Sequence, residues 1–130
     1  MKKPPSQRQL RVGELIRHEL SAIITRGEID DDVIDHAGVS VNEVQTSPDL
    51  KIATAYVRPL LAGHEKEVVE HLNKHARFIR GLLAPKLGMR YMPELRFRYD
   101  TALDYAQHID ELLNSPVVRR DLDKPPSDEE

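Results

Sequence analysis

Between Ser6 and Gly27 the apolar residues Val12, Leu15, Ile16, Leu20, Ile23 and Ile24 recur every three or four positions, the period of one helical face. The spacing predicts a helix over residues 7–25. Ser6 with Gln9 three residues later fits a capping box at its start, and Gly27 supplies a stop. Gly13, inside the run, costs about 1 kcal/mol relative to alanine, so a close packing contact is expected at that turn. The acidic stretch 28–35 loses the period and reads as a solvated connection with a short helical turn.

The period then changes to two. Val39 and Val41 alternate, the alternation slips by one residue at Asn42-Glu43, and Val44 resumes it, which is how a β-bulge looks in sequence. Ser47-Pro48-Asp49 supplies a turn, and residues 51–57 read as a second strand ending before Pro59, so an antiparallel hairpin is expected. From His64 the stripe Val68, Leu72, Ala76, Ile79, Leu83 and Leu87, widened by Val69 and Leu82, is helical again, as one long helix or two in line. Pro85 and Gly88 end the run or bend it. In Glu94-Leu95-Arg96-Phe97-Arg98-Tyr99 the alternation is strict, with Leu95, Phe97 and Tyr99 facing a core and the arginines facing out. Residues 102–113 look like a short final helix closed by Asn114-Ser115-Pro116. The order helix, strand, strand, helix or helix pair, strand, helix defines an α+β domain: a three-stranded sheet covered on one face by helices.

Charge changes the picture, because it is segregated. Residues 74–99 carry seven Lys/Arg (Lys74, Arg77, Arg80, Lys86, Arg90, Arg96, Arg98) against Glu94, a local +6 within a chain of net charge −3. Such segregation creates a local positive field despite the negative total. At about 100° per residue, Lys66, Asn73, Lys74, Arg77 and Arg80 fall opposite the apolar stripe as a ridge interrupted by Glu70. Lys74, Arg77, Arg80, Lys86 and Arg90 are therefore the candidate contacts for a phosphate backbone. Arg96 and Arg98 are secondary candidates, since the wet face of a sheet is polar anyway. Residues 1–6 and the acidic 114–130, with Pro125-Pro126 and no apolar stripe, read as flexible ends flanking one domain over 7–113.

Other chemistries find little support. The absence of cysteine removes disulfides, thiolate metal sites and cysteine nucleophiles. No apolar run reaches the roughly 20 residues of a membrane span, and Met1-Lys2-Lys3-Pro4-Pro5-Ser6 lacks the hydrophobic stretch of a signal peptide, so a soluble cytoplasmic protein is expected. No phosphate-cradling loop, dinucleotide fingerprint or nucleophile elbow is present, and neither an enzyme activity nor a cofactor is expected. His71 and His75, spaced i, i+4 with Glu67 a turn earlier, have the geometry of metal ligands, but a structural or solvated role is the stronger reading. Tyr56, Phe78, Phe97 and Tyr99 are read as core rather than as stacking platforms for bases. Two other classes stay in view: a metal-dependent nuclease using acids such as Asp30 to Asp32, and a protein-interaction module using the acidic surfaces.

Two blocks bring in a resemblance. Val41-Asn42-Glu43-Val44-Gln45-Thr46-Ser47-Pro48-Asp49-Leu50-Lys51-Ile52-Ala53-Thr54-Ala55-Tyr56-Val57, and Phe78-Ile79-Arg80-Gly81-Leu82-Leu83 continuing to Met92-Pro93-Glu94-Leu95-Arg96-Phe97-Arg98-Tyr99-Asp100, resemble the ribosome-binding factor A family. With the first helix the similarity covers roughly residues 7–112. It implies a single type II KH-like domain of order α-β-β-α-α-β, plus here the short C-terminal helix. It also implies a non-enzymatic factor, a monomer in bacterial cytoplasm, that binds the free small ribosomal subunit during late maturation of its ribosomal RNA, with no membrane or small-molecule partner. The alternative is a KH-like RNA-binding regulator or an interaction module acting away from ribosomes. Family members usually place an Ala-x-Gly kink between the central helices, and the matching positions here are His75, Ala76 and Arg77, a departure from that pattern. No Gly-x-x-Gly is present there, so recognition of a shaped ribosomal surface is expected over sequence-specific reading of single strands.

Overall fold

In the chain's computed structural model residues 4–102 are described, and they fall in two compact units that divide between Tyr99 and Asp100. The first unit runs α1 (Gln7–Thr25), α2 (Asp32–Ala37), β1 (Val39–Thr46), β2 (Ile52–Pro59), α3 (Glu65–Lys74), α4 (Ala76–Leu87) and β3 (Glu94–Tyr99). Of the second, residues 100–102 are described, and there Asp100 Oδ1 accepts the Ala102 N–H at 3.0 Å. The expected final helix over 102–113, apart from its first residue, and the expected flexible tail lie outside the described residues.

α1 starts as its sequence predicts: Ser6 Oγ accepts the Gln9 N–H at 3.1 Å and Gln9 Oε1 accepts the Ser6 N–H at 2.9 Å. Val12, Ile16, Leu20 and Ile23 form its buried stripe, and each of these side chains contributes roughly 1.5–3 kcal/mol. Gly13 is needed because the helix lies directly on β1, where a Cβ would collide with the Val44 carbonyl oxygen. Gln9 fixes the same contact, its Nε2 donating to the Thr46 carbonyl at 2.9 Å.

The sheet has order β1-β2-β3, with β1 antiparallel and β3 parallel to β2. A register shift between Val41 and Glu43 is the expected bulge. It is what allows Val41 and Val44, three residues apart, both to be buried, since an unbroken strand would point them to opposite faces. In the turn Ser47 Oγ accepts the N–H groups of Lys51 and Ile52. Leu50 adopts φ 59°, at a cost on the order of 1 kcal/mol, while its side chain is buried. Ala53, Ala55, Val57, Leu95 and Phe97 make the inner face against the helices. Tyr99, expected on that face, is only half-buried, with the Arg58 guanidinium 5.0 Å from its ring centroid.

Three further expectations are corrected. The acidic stretch 28–35 is not a solvated connection: Ile29, Asp31 and Ile34 are buried, and α2, absent from the expected element order, begins within it. Pro85 does not end α4, which continues to Leu87; the stop is the other residue expected there, Gly88, in the left-handed conformation (φ 62°) that glycine adopts without penalty. Phe78 is not core; it is 53 % exposed, because it falls outside the narrow buried stripe of Ile79 and Leu83.

Candidate nucleic-acid interface

The run from His64 divides into two helices at His75, whose φ −97° and ψ 7° end α3 and begin α4. Two sets of hydrogen bonds hold this junction. On one side Asn73 pairs with the edge of β3, its Nδ2 donating to the Phe97 carbonyl at 3.0 Å and its Oδ1 accepting the Phe97 N–H at 2.9 Å. Asn73 therefore satisfies backbone groups that a further strand would otherwise take.

On the other side stands Asp31, whose side chain is 7 % exposed. Its Oδ1 accepts the Val33 and Ile34 N–H groups and so caps α2. Its Oδ2 lies 2.7 Å from His71 Nδ1 and 2.8 Å from His75 Nε2. A carboxylate is acceptor-only, so both imidazoles donate to it. Burial works to raise the Asp31 carboxyl, but the hydrogen bonds from His71, His75 and the Ile34 amide outweigh it and hold the group well below the usual carboxylate range. One buried charge thus ties α2 to both sides of the helix break. Glu67, imagined beside these histidines as a metal ligand, is instead 3.1 Å from His64 Nδ1. Sequence reasoning missed the cluster, since its members are 40 and 44 positions apart.

The basic residues separate into groups. A cavity of about 650 Å³ between the helix junction and β3 brings together Lys74, Arg77, Arg80 and Arg96. Lys74 and Arg77 make no salt bridge among the described residues, whereas Arg96 Nε pairs with Glu94 at 2.9 Å. Arg80 is an internal tie: its Nε and Nη2 donate to the carbonyls of Met92 and Pro93, fixing the segment that enters β3. Arg90 belongs with Arg80 to a second cavity of about 510 Å³. Lys86 lies nine residues after Arg77, about 180° round the helix at ~100° per residue, and shares neither cavity. Arg98 is exposed on the outer face of β3, away from both. The surface that can meet a polyanion is therefore centred on Lys74 and Arg77, with Arg96 at its rim. Its net charge is positive because four cations, Lys74, Arg77, Arg80 and Arg96, face a single acid, Glu94.

A three-stranded sheet carrying helices on one face, with a broken helix pair between β2 and β3, makes this a KH-like α+β domain. The sequence model of the family described as Ribosome-binding factor A matches residues 8–113. A curated ribosome-binding factor A of Rhizobium johnstonii is 58 % identical over 120 residues, covering 92 % of this chain and 90 % of that one. The chain belongs to the ribosome-binding factor A family. Among solved structures, a putative ribosome binding factor A of Thermotoga maritima, determined by NMR, aligns with a TM-score of 0.58 at 26 % identity, covering 78 % of this chain and 94 % of its own. The Thermus thermophilus factor, as a homology model fitted into the cryo-EM map of a 30S complex, aligns with a TM-score of 0.56 at 22 % identity, covering 68 % and 91 %.

Proposed function

We propose that this protein is a non-enzymatic assembly factor that binds the free small ribosomal subunit in the cytoplasm and assists late maturation of its ribosomal RNA. The observation that carries the reading is the pair of unneutralised cations, Lys74 and Arg77, set beside a fixed helix break in a member of this family. The Thermus thermophilus relative in a 30S complex supports the choice of partner. The protein acts as a monomer through the domain over residues 7–113, with no small-molecule substrate.

Its work is binding. Lys74 and Arg77, with Arg96 at the rim, displace the counterions condensed on the RNA phosphates, and the rigid junction supplies a shape that fits one conformation of immature RNA better than others. A factor that binds one conformer preferentially shifts the population toward it without any chemical step. Co-sedimentation of the full chain with free small subunits, with large subunits and with protein-free small-subunit RNA tests this. The expected result is salt-sensitive, chelator-insensitive binding to small subunits that leaves the RNA uncut. Cleavage abolished by chelator would replace the reading with a nuclease, and equal binding to both subunits would remove the assembly role.

A further inference from the structure

The second cavity holds the most exposed aromatic ring among the described residues. Tyr91 is 76 % exposed, while its neighbours Met92 and Pro93 are buried. Gly88 ends α4 on one side, and on the other Arg80 clamps the Met92 and Pro93 carbonyls and the Glu94 N–H donates to the Lys51 carbonyl at 2.7 Å. The ring is thus displayed from a backbone that is tied down beneath it. The Arg90 guanidinium stands 5.6 Å from its centroid.

The charge around the ring is also unbalanced. Arg8, from the first turn of α1, Lys51, just before β2, and Arg90 line the cavity, and none makes a salt bridge among the described residues. Four cations in the lining, Arg8, Lys51, Arg80 and Arg90, face two acids: Glu94 pairs with Arg96, and Asp49, which accepts from Ser47 Oγ and the Lys51 N–H, remains a carboxylate beside Lys51. An aromatic ring with a guanidinium over it, in a cavity whose cations outnumber its acids, matches the chemistry of an unpaired nucleotide, a π-face with a phosphate on each side. About 510 Å³ lies within the range of ligand sites and admits a base with its ribose.

We propose that this cavity takes an unpaired RNA nucleotide, its base stacked on Tyr91 and its flanking phosphates met by Arg8, Lys51 and Arg90. The site rests on the assembly reading for its RNA source and adds to it a second, single-stranded contact beyond the helix junction. Stacking on a ring needs no glycine clamp and is tolerant of sequence, in keeping with a chain that lacks Gly-x-x-Gly.

The test uses the full chain, a ten-nucleotide oligouridylate, whose bases stack little on one another, carrying one 2-aminopurine, and the same strand in a duplex. Stacking quenches the probe's fluorescence. The parent protein is expected to quench the single strand and not the duplex. Tyr91→Ala should lose the quench and weaken binding about 5- to 100-fold, Tyr91→Phe should keep both, and Arg90→Gln should flatten the salt dependence with the quench retained. Since the ring is exposed, thermal midpoints should match the parent's. Absence of a quench with the parent, an equal quench by duplex, or an unchanged quench with Tyr91→Ala overturns the site. Loss of small-subunit binding by Tyr91→Ala with oligonucleotide binding intact also overturns it, placing the ring against a ribosomal protein. A parent that quenches through Tyr91 yet fails to bind small subunits leaves the nucleotide site standing and removes the assembly reading instead.

Discussion

Replacing Asp31 by alanine removes three supports at once, and the structure sets their size. Loss of the Oδ1 cap on Val33 and Ile34 costs about 1 kcal/mol. Loss of Oδ2 deprives two imidazoles of their acceptor; at 32 % and 25 % side-chain exposure both reach water in part, so each loss is nearer 1 than 3 kcal/mol. The total is about 3 kcal/mol at pH 7, read as a fall in urea midpoint with little change in m-value. The pH dependence has a definite sign. The folded-state carboxyl is held below its unfolded value, so its contribution is fully present above the unfolded pKa of about 3.9 and is lost as pH falls below that toward the folded value. Asp31→Asn keeps an oxygen for the α2 cap but cannot titrate, so the gap between it and the parent should shrink as pH falls below about 4. An Asp31→Ala protein within about 0.5 kcal/mol of the parent at pH 7, or a parent–Asn gap that fails to shrink below about pH 4, would show that this carboxylate does not hold the helix break.

Phe97→Ala, at a nearly fully buried ring on β3, should destabilise by roughly 3–5 kcal/mol in the same assay; a folded mutant with selectively weakened RNA binding would instead make the ring an exposed contact. Gly13→Ala, favourable by about 1 kcal/mol on helix propensity alone, should be destabilising, because α1 must move off the Val44 carbonyl; a raised thermal midpoint would refute the close approach. Arg80→Gln should lower stability by about 1–2 kcal/mol through the freed Met92 and Pro93 carbonyls, whereas Arg77→Gln should leave it within about 0.5 kcal/mol. Equal denaturation midpoints for the two would remove the structural role of Arg80.

What the sequence reveals here is what local patterning controls. The capping box at Ser6 and Gln9 closes within three residues, the bulge at Asn42 shows as a slipped alternation, and the inward parity of Leu95 and Phe97 follows from strand geometry. The three-stranded sheet, its antiparallel hairpin and its single helical covering layer followed from those signals. The parallel partnership of β3 is a long-range choice that the pattern of one strand does not encode. Within the acidic stretch a short helical turn was legible, but Ile29 and Ile34 are too few to make a period, so its extension into α2 and its burial were hidden. Asp31 looked like one of several solvated acids because its histidine partners come from another part of the chain. Helical spacing placed Arg80 opposite the apolar stripe, yet the segment before β3 passes there and captures its guanidinium. The proposed contacts at the helix break are accordingly Lys74 and Arg77, with Arg96 beside them; Arg90 lines the second cavity, and Lys86 and Arg98 line neither.

Lys74 and Arg77, the cations at the helix break without a salt bridge among the described residues, are the proposed phosphate contacts. The direct measurement is the affinity of parent and Lys74→Gln/Arg77→Gln chains for purified small subunits at several salt concentrations, after urea midpoints have shown equal stability. The expected result is weaker binding by the double mutant and a plot of log K against log salt flatter by roughly 0.7 to 0.9 for each lost contact. Unchanged affinity with parallel salt dependence would mean that Lys74 and Arg77 only solvate the helices, and that the RNA lies elsewhere on the domain.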